Sequence, residues 1–329
     1  MLVSFFKQNQ PGILIAVLPL FALLLWIPGF IIYPYPVSYE YTMPLYDAIV
    51  YLTSGIPYLS GILGLLLVYI QALILNHVVN KNEMLKPRTN LPALMYILVM
   101  SAMVELQTMH PVIFANLFIL FAFERLSSVY VQKTVFSQVF DAGSMIALAS
   151  FFYFPAIIFF LFIWGTLLIT RTFIWREYII ALFGLLVPYA FLGTYYFWTG
   201  DWNTVSQEIS SNNYNPADIV LPKFIATDYI LVMFMLILLS FSILTMFKMM
   251  ANNIVRIQYL LRSLVILLFT GFVAILFDNS KNLHTIALAA IPFAVFTGNY
   301  FLHFKRKWVA ELILLALLGL IIYNFFPGI

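Results

Sequence analysis

The 329-residue chain contains no cysteine and few charged residues. Without cysteine it can form neither a disulfide framework nor a thiolate metal site. Only 9% of its residues are Asp, Glu, Lys or Arg, whereas 64% are hydrophobic. A typical soluble domain has roughly 25% charged residues, so the lipid bilayer rather than water is predicted to be the main solvent of this chain.

Sequence motifs for nucleotide and acyl chemistry are also missing. The chain has no GxxxxGK[S/T] loop, no GxSxG elbow and no GxGxxG fingerprint, so a nucleotide-driven pump would need its ATP site on a partner. The sequence identifies no cofactor. The net charge of +3 comes from basic residues spread over many loops, which suits anionic membrane lipids and predicts no nucleic-acid partner.

Long apolar runs recur along the chain and predict an all-α, polytopic transmembrane bundle of about eleven spans. The first run has no small-residue cleavage site, so we expect a retained span rather than a signal peptide. The predicted spans are 12–33, 56–79, 91–108, 111–124, 140–154, 155–170, 178–198, 229–250, 263–277, 284–303 and 308–326.

Lys and Arg residues lie almost entirely on one side of this predicted bundle. With the N-terminus in the cytoplasm, fourteen of the sixteen face the cytoplasm, and only Lys223 and Lys281 face outward. Basic residues near span ends set orientation, so the sequence predicts a bacterial inner-membrane protein with a cytoplasmic N-terminus and a periplasmic C-terminus. The fourteen are Lys7, Lys81, Lys86, Arg88, Arg125, Lys133, Arg171, Arg176, Lys248, Arg256, Arg262, Lys305, Arg306 and Lys307.

The segment 140–170 is either one long span or two short ones that meet at Pro155. A single span would place the basic residues after the segment on the opposite side from those before it, so charge favours two spans. Each half has about fifteen residues, short of the roughly 20 needed to cross the bilayer. We therefore expect this pair, and the short 111–124 run, to lie inside the bundle or in a thinned bilayer.

The chain divides into a transmembrane module (1–200), a periplasmic acidic loop (201–228) and a second transmembrane module (229–329). The first outward segment, residues 33–52, contains six tyrosines, Glu40 and Asp47, and no basic residue. We expect it to form interfacial helices, because tyrosine suits the head-group region. Glu40 and Asp47 could then act as a general base or as metal ligands, or they could be solvated loop acids.

The second outward segment is the loop Gly200 to Asp228, the only long polar stretch in the chain. Its length exceeds that of most connections, which is typical of a lid or a docking surface. Asp201 and Lys223 are its candidate binding residues. The alternative is an acidic loop that only joins two spans.

The third outward segment is the tip 105–111 between two short spans, with Glu105 and His110 as candidate binding residues. An ionisable side chain near a span end must be paired or reach water. Glu105 and His110 are therefore expected either to line a recessed, hydrated cavity or, for Glu105, to extend to the interface. The four histidines of the chain show no i, i+3 or i, i+4 pair, and no metal site is predicted.

The order of these segments resembles a known superfamily. The acidic first loop is followed by HPVIFANLFILFAFERL (110–126) and by a small-residue span, a proline turn, a second span and a basic link over 140–189. This pattern resembles the GT-C membrane glycosyltransferases over roughly the first 200 residues. The chain also resembles a family of polytopic inner-membrane proteins of Bacteroidota, through LNHVVN (75–80), LPALMY (91–96) and WRE (175–177).

The GT-C resemblance implies sugar transfer from a polyprenyl-phosphate carrier at the periplasmic face, with a catalytic carboxylate in the first loop, where Glu40 and Asp47 lie. Lys223 would then contact the phosphate. Few outward cations are available for that contact. The alternative is a non-catalytic, GT-C-like subunit or scaffold that binds other inner-membrane proteins. Ion-coupled transport is a lesser alternative, because the chain shows no convincing internal repeat.

Overall fold

The computed structural model describes residues 2–8, 10–37, 39, 43–130, 132, 134–171, 173–200, 226–251, 253–278, 282–304 and 306–325. These residues form helices and connecting turns without any β-strand, which confirms the all-α prediction. Glu40, Asp201 and Lys223 lie outside the described residues. The α-helices are α1 Leu2–Phe6, α2 Leu18–Ile32, α3 Pro44–Thr53, α4 Leu59–Lys81, α5 Leu91–Met100, α6 Pro111–Ser127, α7 Phe136–Ser150, α8 Phe160–Thr170, α9 Trp175–Thr199, α10 Ala226–Ala251, α11 Val255–Leu276, α12 Ala290–His303 and α13 Lys307–Asn324.

Four shorter helical turns join or extend these helices. A π-helical turn, Ile13–Val17, leads directly into α2. Three 3₁₀ helices precede other helices: Val104–Gln107 lies before α6, Phe154–Phe159 leads into α8, and Leu283–Ala289 leads into α12.

Among the described residues, seven helical segments are long and apolar enough to cross a membrane: Ile13–Ile32, Leu59–Lys81, Trp175–Thr199, Thr227–Met250, Val255–Leu276, Leu283–His303 and Lys307–Asn324. Each corresponds to one of the predicted spans. The other predicted spans correspond to shorter helices: α5, α6, α7, and α8 with its preceding 3₁₀ helix. Helix length therefore supports seven spans, and a larger number rests on the charge pattern.

The segment 140–170 consists of two helices, as predicted. Helix α7 ends at Ser150, and the backbone is extended at Tyr153 before the next helical turn begins at Phe154. Pro155 accounts for this position of the break, because proline has no N–H to donate and disfavours helical geometry in the residue before it.

Ionic contacts bring the helix ends that carry Lys and Arg together at one end of the bundle, here called the basic end. Lys81, at the end of α4, lies 3.6 Å from Glu124 near the end of α6. Arg125 lies 3.5 Å from Asp141 near the start of α7. Arg171 forms an ion pair with Glu177. The Arg256 guanidinium donates a hydrogen bond to the Asn82 amide oxygen, and the Lys7 ammonium donates one to the Leu302 carbonyl.

The opposite end of the bundle, here called the acidic end, carries four described acids, whereas Glu83 and Glu311 lie at the basic end. Asn324, the last residue of α13, donates a hydrogen bond of 2.9 Å to Asp228 in the first turn of α10. Asp47, Glu105 and Asp278 also lie at this end, since they fall between helix ends remote from the basic end. No Lys or Arg of the described ranges lies there. The two ends reproduce the predicted segregation of charge.

The core of the bundle is built around α5 and the segment 283–303. All ten residues of α5 are buried, and so are 89% of the residues in an 18-residue apolar stretch of 283–303. These two elements pack against each other, and α4, α6, α10 and α11 pack around them. A helix that is apolar on every side belongs in such a position. Because α5 is shielded by protein, it need not be long enough to span a bilayer.

Helices α7 and α9 cross at two glycines. A Cβ atom at Gly184 would lie 2.3 Å from the Phe140 carbonyl oxygen, and one at Gly143 would lie 2.4 Å from the Ala181 carbonyl oxygen. Both contacts are with backbone, which cannot rotate away. The crossing therefore requires hydrogen at each position, as is common where membrane helices approach closely.

Gly184→Ala should separate α7 from α9 and destabilise the protein by about 1–3 kcal/mol, the usual cost of overpacking. Thermal unfolding of the detergent-purified protein measures this loss. Gly319→Ala in α13 is the matched control, because nothing lies within 4 Å of its Cβ position. An equal effect of the two substitutions would mean that the crossing is not tightly packed.

Candidate functional site

The tip between α5 and α6 is irregular and buried. Helix α5 ends at Met100, and the backbone is extended at Met103, Thr108 and His110 before Pro111 begins α6. Helix α6 has 17 residues and so rises about 25 Å from its basic end. That is less than the roughly 30 Å of a hydrocarbon core, and the tip residues from Leu106 to His110 are buried.

Gln107 supplies partners for the irregular backbone of the tip. Its amide oxygen accepts a hydrogen bond of 3.1 Å from the Gly29 N–H, and its amide nitrogen donates one of 3.0 Å to the Ser101 carbonyl. The Trp26 indole donates to the Ser101 hydroxyl at 3.0 Å. A side chain on Gly29 would collide with Gln107, because its Cβ would lie 2.4 Å from the Gln107 carbonyl oxygen. Helix α2 therefore covers the tip closely.

A second irregular element, the 3₁₀ helix Leu283–Ala289, contacts the tip. The Glu105 carboxylate accepts a hydrogen bond from the Leu283 N–H. The Asn116 amide of α6 donates a hydrogen bond of 2.8 Å to the Ala287 carbonyl. Two interruptions of helical structure, far apart in the sequence, thus meet inside the bundle.

The two interruptions bring His110 and His284 together. Their rings are stacked with centroids 5.2 Å apart and an angle of 23° between the planes. Both side chains are buried, and neither ring nitrogen of His110 has a hydrogen-bond partner. The sequence identified His110 but not His284 as a site residue. Helical spacing could not indicate this pair, because its members are 174 residues apart and belong to different segments.

Two tyrosines pack on His284 and complete the cluster. The Tyr39 ring lies edge-on at 4.7 Å between centroids, and the Tyr153 ring lies at 6.2 Å. Burial raises the pKa of the Tyr39 phenol well above its ordinary value, and the charge of Glu105 adds to this. Tyr39 therefore stays protonated at any physiological pH and can donate a hydrogen bond.

The candidate acids occupy different positions around this cluster. Glu105 is exposed, and its carboxylate is close enough to Asp228 for the two charges to repel. Asp47 is exposed on α3. Its neighbour Tyr46 is buried and donates a hydrogen bond of 2.9 Å to the Met109 carbonyl. Helix α3 is therefore anchored to the tip, with Asp47 on its outer side.

Asp47 lies in the first turn of α3, whereas Glu40 lies outside the described residues. Within the described ranges, no group of three or more His, Asp or Glu side chains is arranged to hold a metal ion. The cluster is suited to hydrogen bonding and ring contacts.

An apolar cavity of about 290 Å³ lies beside the tip, between α5, α10, α11 and α12. Leu236 of α10 and Phe272 of α11 line it and are 46% and 38% exposed. The cavity therefore opens sideways on the outer surface of the bundle, between these two helices. The lining residues are Val99, Ala102, Met103, Leu106, Val232, Met235, Leu236, Leu239, Phe272, Ile275, Ile286, Ala287, Ala289 and Phe293.

Two of the elements that line the cavity also carry His284 and Asp228, although neither side chain lines the cavity itself. Ala287 lines the cavity, and His284 lies three residues earlier on the same 3₁₀ helix. Side chains at i and i+3 of a 3₁₀ helix lie on one face, about 6 Å apart along its axis. Val232 of α10 lines the cavity, and Asp228 lies one turn earlier on the same side. A chain-like ligand in the cavity would thus point towards polar groups at one end.

These features define an all-helical bundle with seven helices able to span a membrane, consistent with a membrane protein that has a lateral apolar cavity. The chain belongs to the family of unknown function DUF6427, whose model matches residues 48–329. No curated protein matches the chain, and no solved structure does. The resemblances to GT-C enzymes and to a Bacteroidota family stay predictions.

Gln107→Leu should destabilise the protein by about 1–3 kcal/mol, because it leaves the buried Ser101 carbonyl without the hydrogen bond from the Gln107 amide. Unfolding in detergent, monitored by circular dichroism, measures the loss. Gln10→Leu is the control, because Gln10 is exposed. Equal stability of the two variants would show that the tip is not held by Gln107.

Proposed function

We propose that the protein is a multi-pass membrane protein of the cell envelope that takes up the hydrocarbon chain of a lipid or lipid-linked substrate. The chain enters sideways from the bilayer, and the polar end of the lipid lies at the acidic end of the bundle. One observation carries this proposal: the apolar cavity opens between α10 and α11, and its lining residues Val232 and Ala287 lie one helical turn from Asp228 and His284.

The proposed topology follows from the two ends of the bundle. Because Lys and Arg are retained on the cytoplasmic side, the basic end faces the cytoplasm and the acidic end the periplasm of an inner membrane. With the four short helices counted as crossings, the chain makes eleven, with its N-terminus in the cytoplasm and its C-terminus outside. Burial of α5, α6 and α7 supports this number, since short segments can cross when protein surrounds them.

The charge at the acidic end bears on the chemistry of the lipid. Polyprenyl-phosphate sugar transfer, with Glu40 or Asp47 as base and Lys223 as phosphate contact, is the narrower function that the GT-C resemblance implies. A bound phosphate needs cationic or N–H donors, and the described residues beside the cavity offer carboxylates there. We therefore propose lipid binding as the primary function, compatible with a non-catalytic subunit that works with other inner-membrane proteins.

The topology can be tested by cysteine labelling, since the native chain has no cysteine. Ser54→Cys lies after α3 at the acidic end, and Thr134→Cys lies between α6 and α7 at the basic end; both positions are exposed. In intact spheroplasts, a membrane-impermeant maleimide should label Ser54→Cys fully and Thr134→Cys only after permeabilisation. The opposite pattern would invert the proposed orientation.

The cavity can be tested by filling it from one helix. Val232→Trp should place a large ring in the cavity and reduce the lipid that co-purifies with the protein in mild detergent by at least fivefold. Mass spectrometry of extracted lipid per mole of protein measures the change. Met233→Trp is the matched control, because Met233 is the next residue of the same helix and is 66% exposed.

Lipid retention in Met233→Trp with loss in Val232→Trp supports the proposal. Equal lipid content in wild-type protein and both variants would overturn it. Thermal unfolding of each variant accompanies the measurement, so that a loss caused by misfolding is recognised.

A further inference from the structure

The His110 side chain is a buried polar group without partners. Its side chain is completely inaccessible, and neither Nδ1 nor Nε2 has a hydrogen-bond partner. The hydroxyl of Thr108, two residues earlier and also buried, has none either. Buried polar groups in native proteins are nearly always paired, so each exception requires an explanation. A bound group that supplies the partners is one such explanation.

The unpaired groups define what that bound group must offer. A neutral imidazole has one N–H donor and one acceptor nitrogen, and a hydroxyl is both a donor and an acceptor. An apolar ligand could not satisfy them, and a group with acceptors alone could satisfy only part of them. A hydroxyl fits best, because it donates and accepts at the same atom.

The position of the histidines relates this requirement to the cavity. His284 stacks on His110 and lies one 3₁₀ turn beyond Ala287, which lines the cavity. Leu106, which also lines the cavity, lies four residues before His110. A lipid whose chain fills the cavity could therefore have its polar end on the side of the bundle where the histidine pair lies.

The surrounding charges restrict the ligand further. The Glu105 carboxylate is bonded to the Leu283 N–H, next to His284, and interacts with Asp228. The other groups around the pair are Tyr39, Tyr46 and Tyr153, which are neutral phenols. The described part of this region contains no Lys or Arg to bind a phosphate. A phosphate or carboxylate head group would meet repulsion from two acids.

We infer that the His110–His284 pair, with Thr108, recognises the hydroxyl groups of an uncharged, polyhydroxylated lipid head group whose hydrocarbon chain lies in the cavity. This inference rests on the proposed lipid-binding function and deepens it by naming the class of ligand. Because the His110 nitrogens are inaccessible in the structure, this proposal requires the rings to part on binding, so that the two imidazoles can bond to the ligand hydroxyls. The neighbouring carboxylates exclude anionic lipids.

Three lipids with identical acyl chains test the inference on the full-length, detergent-purified protein. They are a glucosyl diacylglycerol, the parent diacylglycerol and a phosphatidylglycerol. Native mass spectrometry measures the apparent dissociation constant of each. The glucosyl lipid should bind at least tenfold more tightly than phosphatidylglycerol and several-fold more tightly than diacylglycerol.

His110→Phe keeps a planar ring and removes both ring nitrogens. It should lower the affinity for the glucosyl lipid to that for diacylglycerol and leave diacylglycerol binding unchanged. No existing hydrogen bond is lost, but the phenyl ring is larger than the imidazole, so the variant's lipid-free melting temperature is measured alongside to record the cost of overpacking. His77→Phe, at an exposed position of α4, should change neither property.

The results distinguish a failure of this inference from a failure of the proposed lipid-binding function. If all three lipids bind equally, or phosphatidylglycerol binds best, the inference is wrong and the proposed lipid binding remains. If His110→Phe lowers the lipid-free melting temperature and keeps the preference for the glucosyl lipid, His110 is a structural residue and the inference is also wrong. If none of the lipids binds, the proposed function itself fails. His284→Phe replaces His110→Phe if the latter does not fold, and the wild-type comparison needs no variant.

Discussion

The fold depends on one constraint: a polar backbone group at membrane depth must have a partner inside the protein. Helices meet this constraint by themselves, but residues 101–110 leave helical geometry after Met100. Their carbonyl and N–H groups need neighbours; the Gln107 amide donates to the Ser101 carbonyl, and the Tyr46 hydroxyl donates to the Met109 carbonyl. The tip can therefore exist only where other helices enclose it. This explains why α5 occupies the centre of the bundle and why α2 and α3 cover its end.

The same constraint applies to the second interruption, at 283–289. The Asn116 amide bonds to the Ala287 carbonyl, and the Glu105 carboxylate bonds to the Leu283 N–H. In both bonds a side chain from the first interruption or its following helix satisfies the backbone of the second. Each irregular segment thus provides partners for the other, and neither would be stable in lipid alone. Their contact is a structural requirement before it is a functional one.

The positions of helices and breaks could be predicted from the sequence, because hydropathy and charge are properties of consecutive residues. Apolar runs located the helices, Pro155 marked the break between α7 and α8, and the short runs around His110 predicted a recessed tip. Lateral neighbours could not be predicted in the same way. Nearly every face of every segment is apolar, so no amphipathic pattern shows which helix packs against which. Two features result only from this lateral packing: the contact between His110 and His284, and the position of α10 opposite α11 across the cavity.

The acidic candidates show the same limit more sharply. The sequence placed Glu105 and His110 at one tip, and the structure places both around Leu283 and His284. Asp47 lies on the outer side of α3, whereas its neighbour Tyr46 reaches the tip. Composition could not predict which of these two residues faces the tip, because tyrosine and aspartate are each common at a membrane interface. On this ten-residue helix the two side chains point in different directions, so that Tyr46 is buried and Asp47 is exposed.

The unpaired nitrogens of His110 are costly in a protein held together by satisfied polar groups. An unsatisfied buried donor or acceptor costs about 1–3 kcal/mol, a large part of the margin by which most proteins are stable. An apolar side chain would avoid this cost, and the rings of Tyr39 and Tyr153 already pack around the histidine pair. Packing alone therefore does not account for a histidine at this position. Strained or unsatisfied groups that persist in an otherwise consistent core are expected where a ligand completes the structure. The cavity that ends one helical turn away gives that ligand a route from the bilayer.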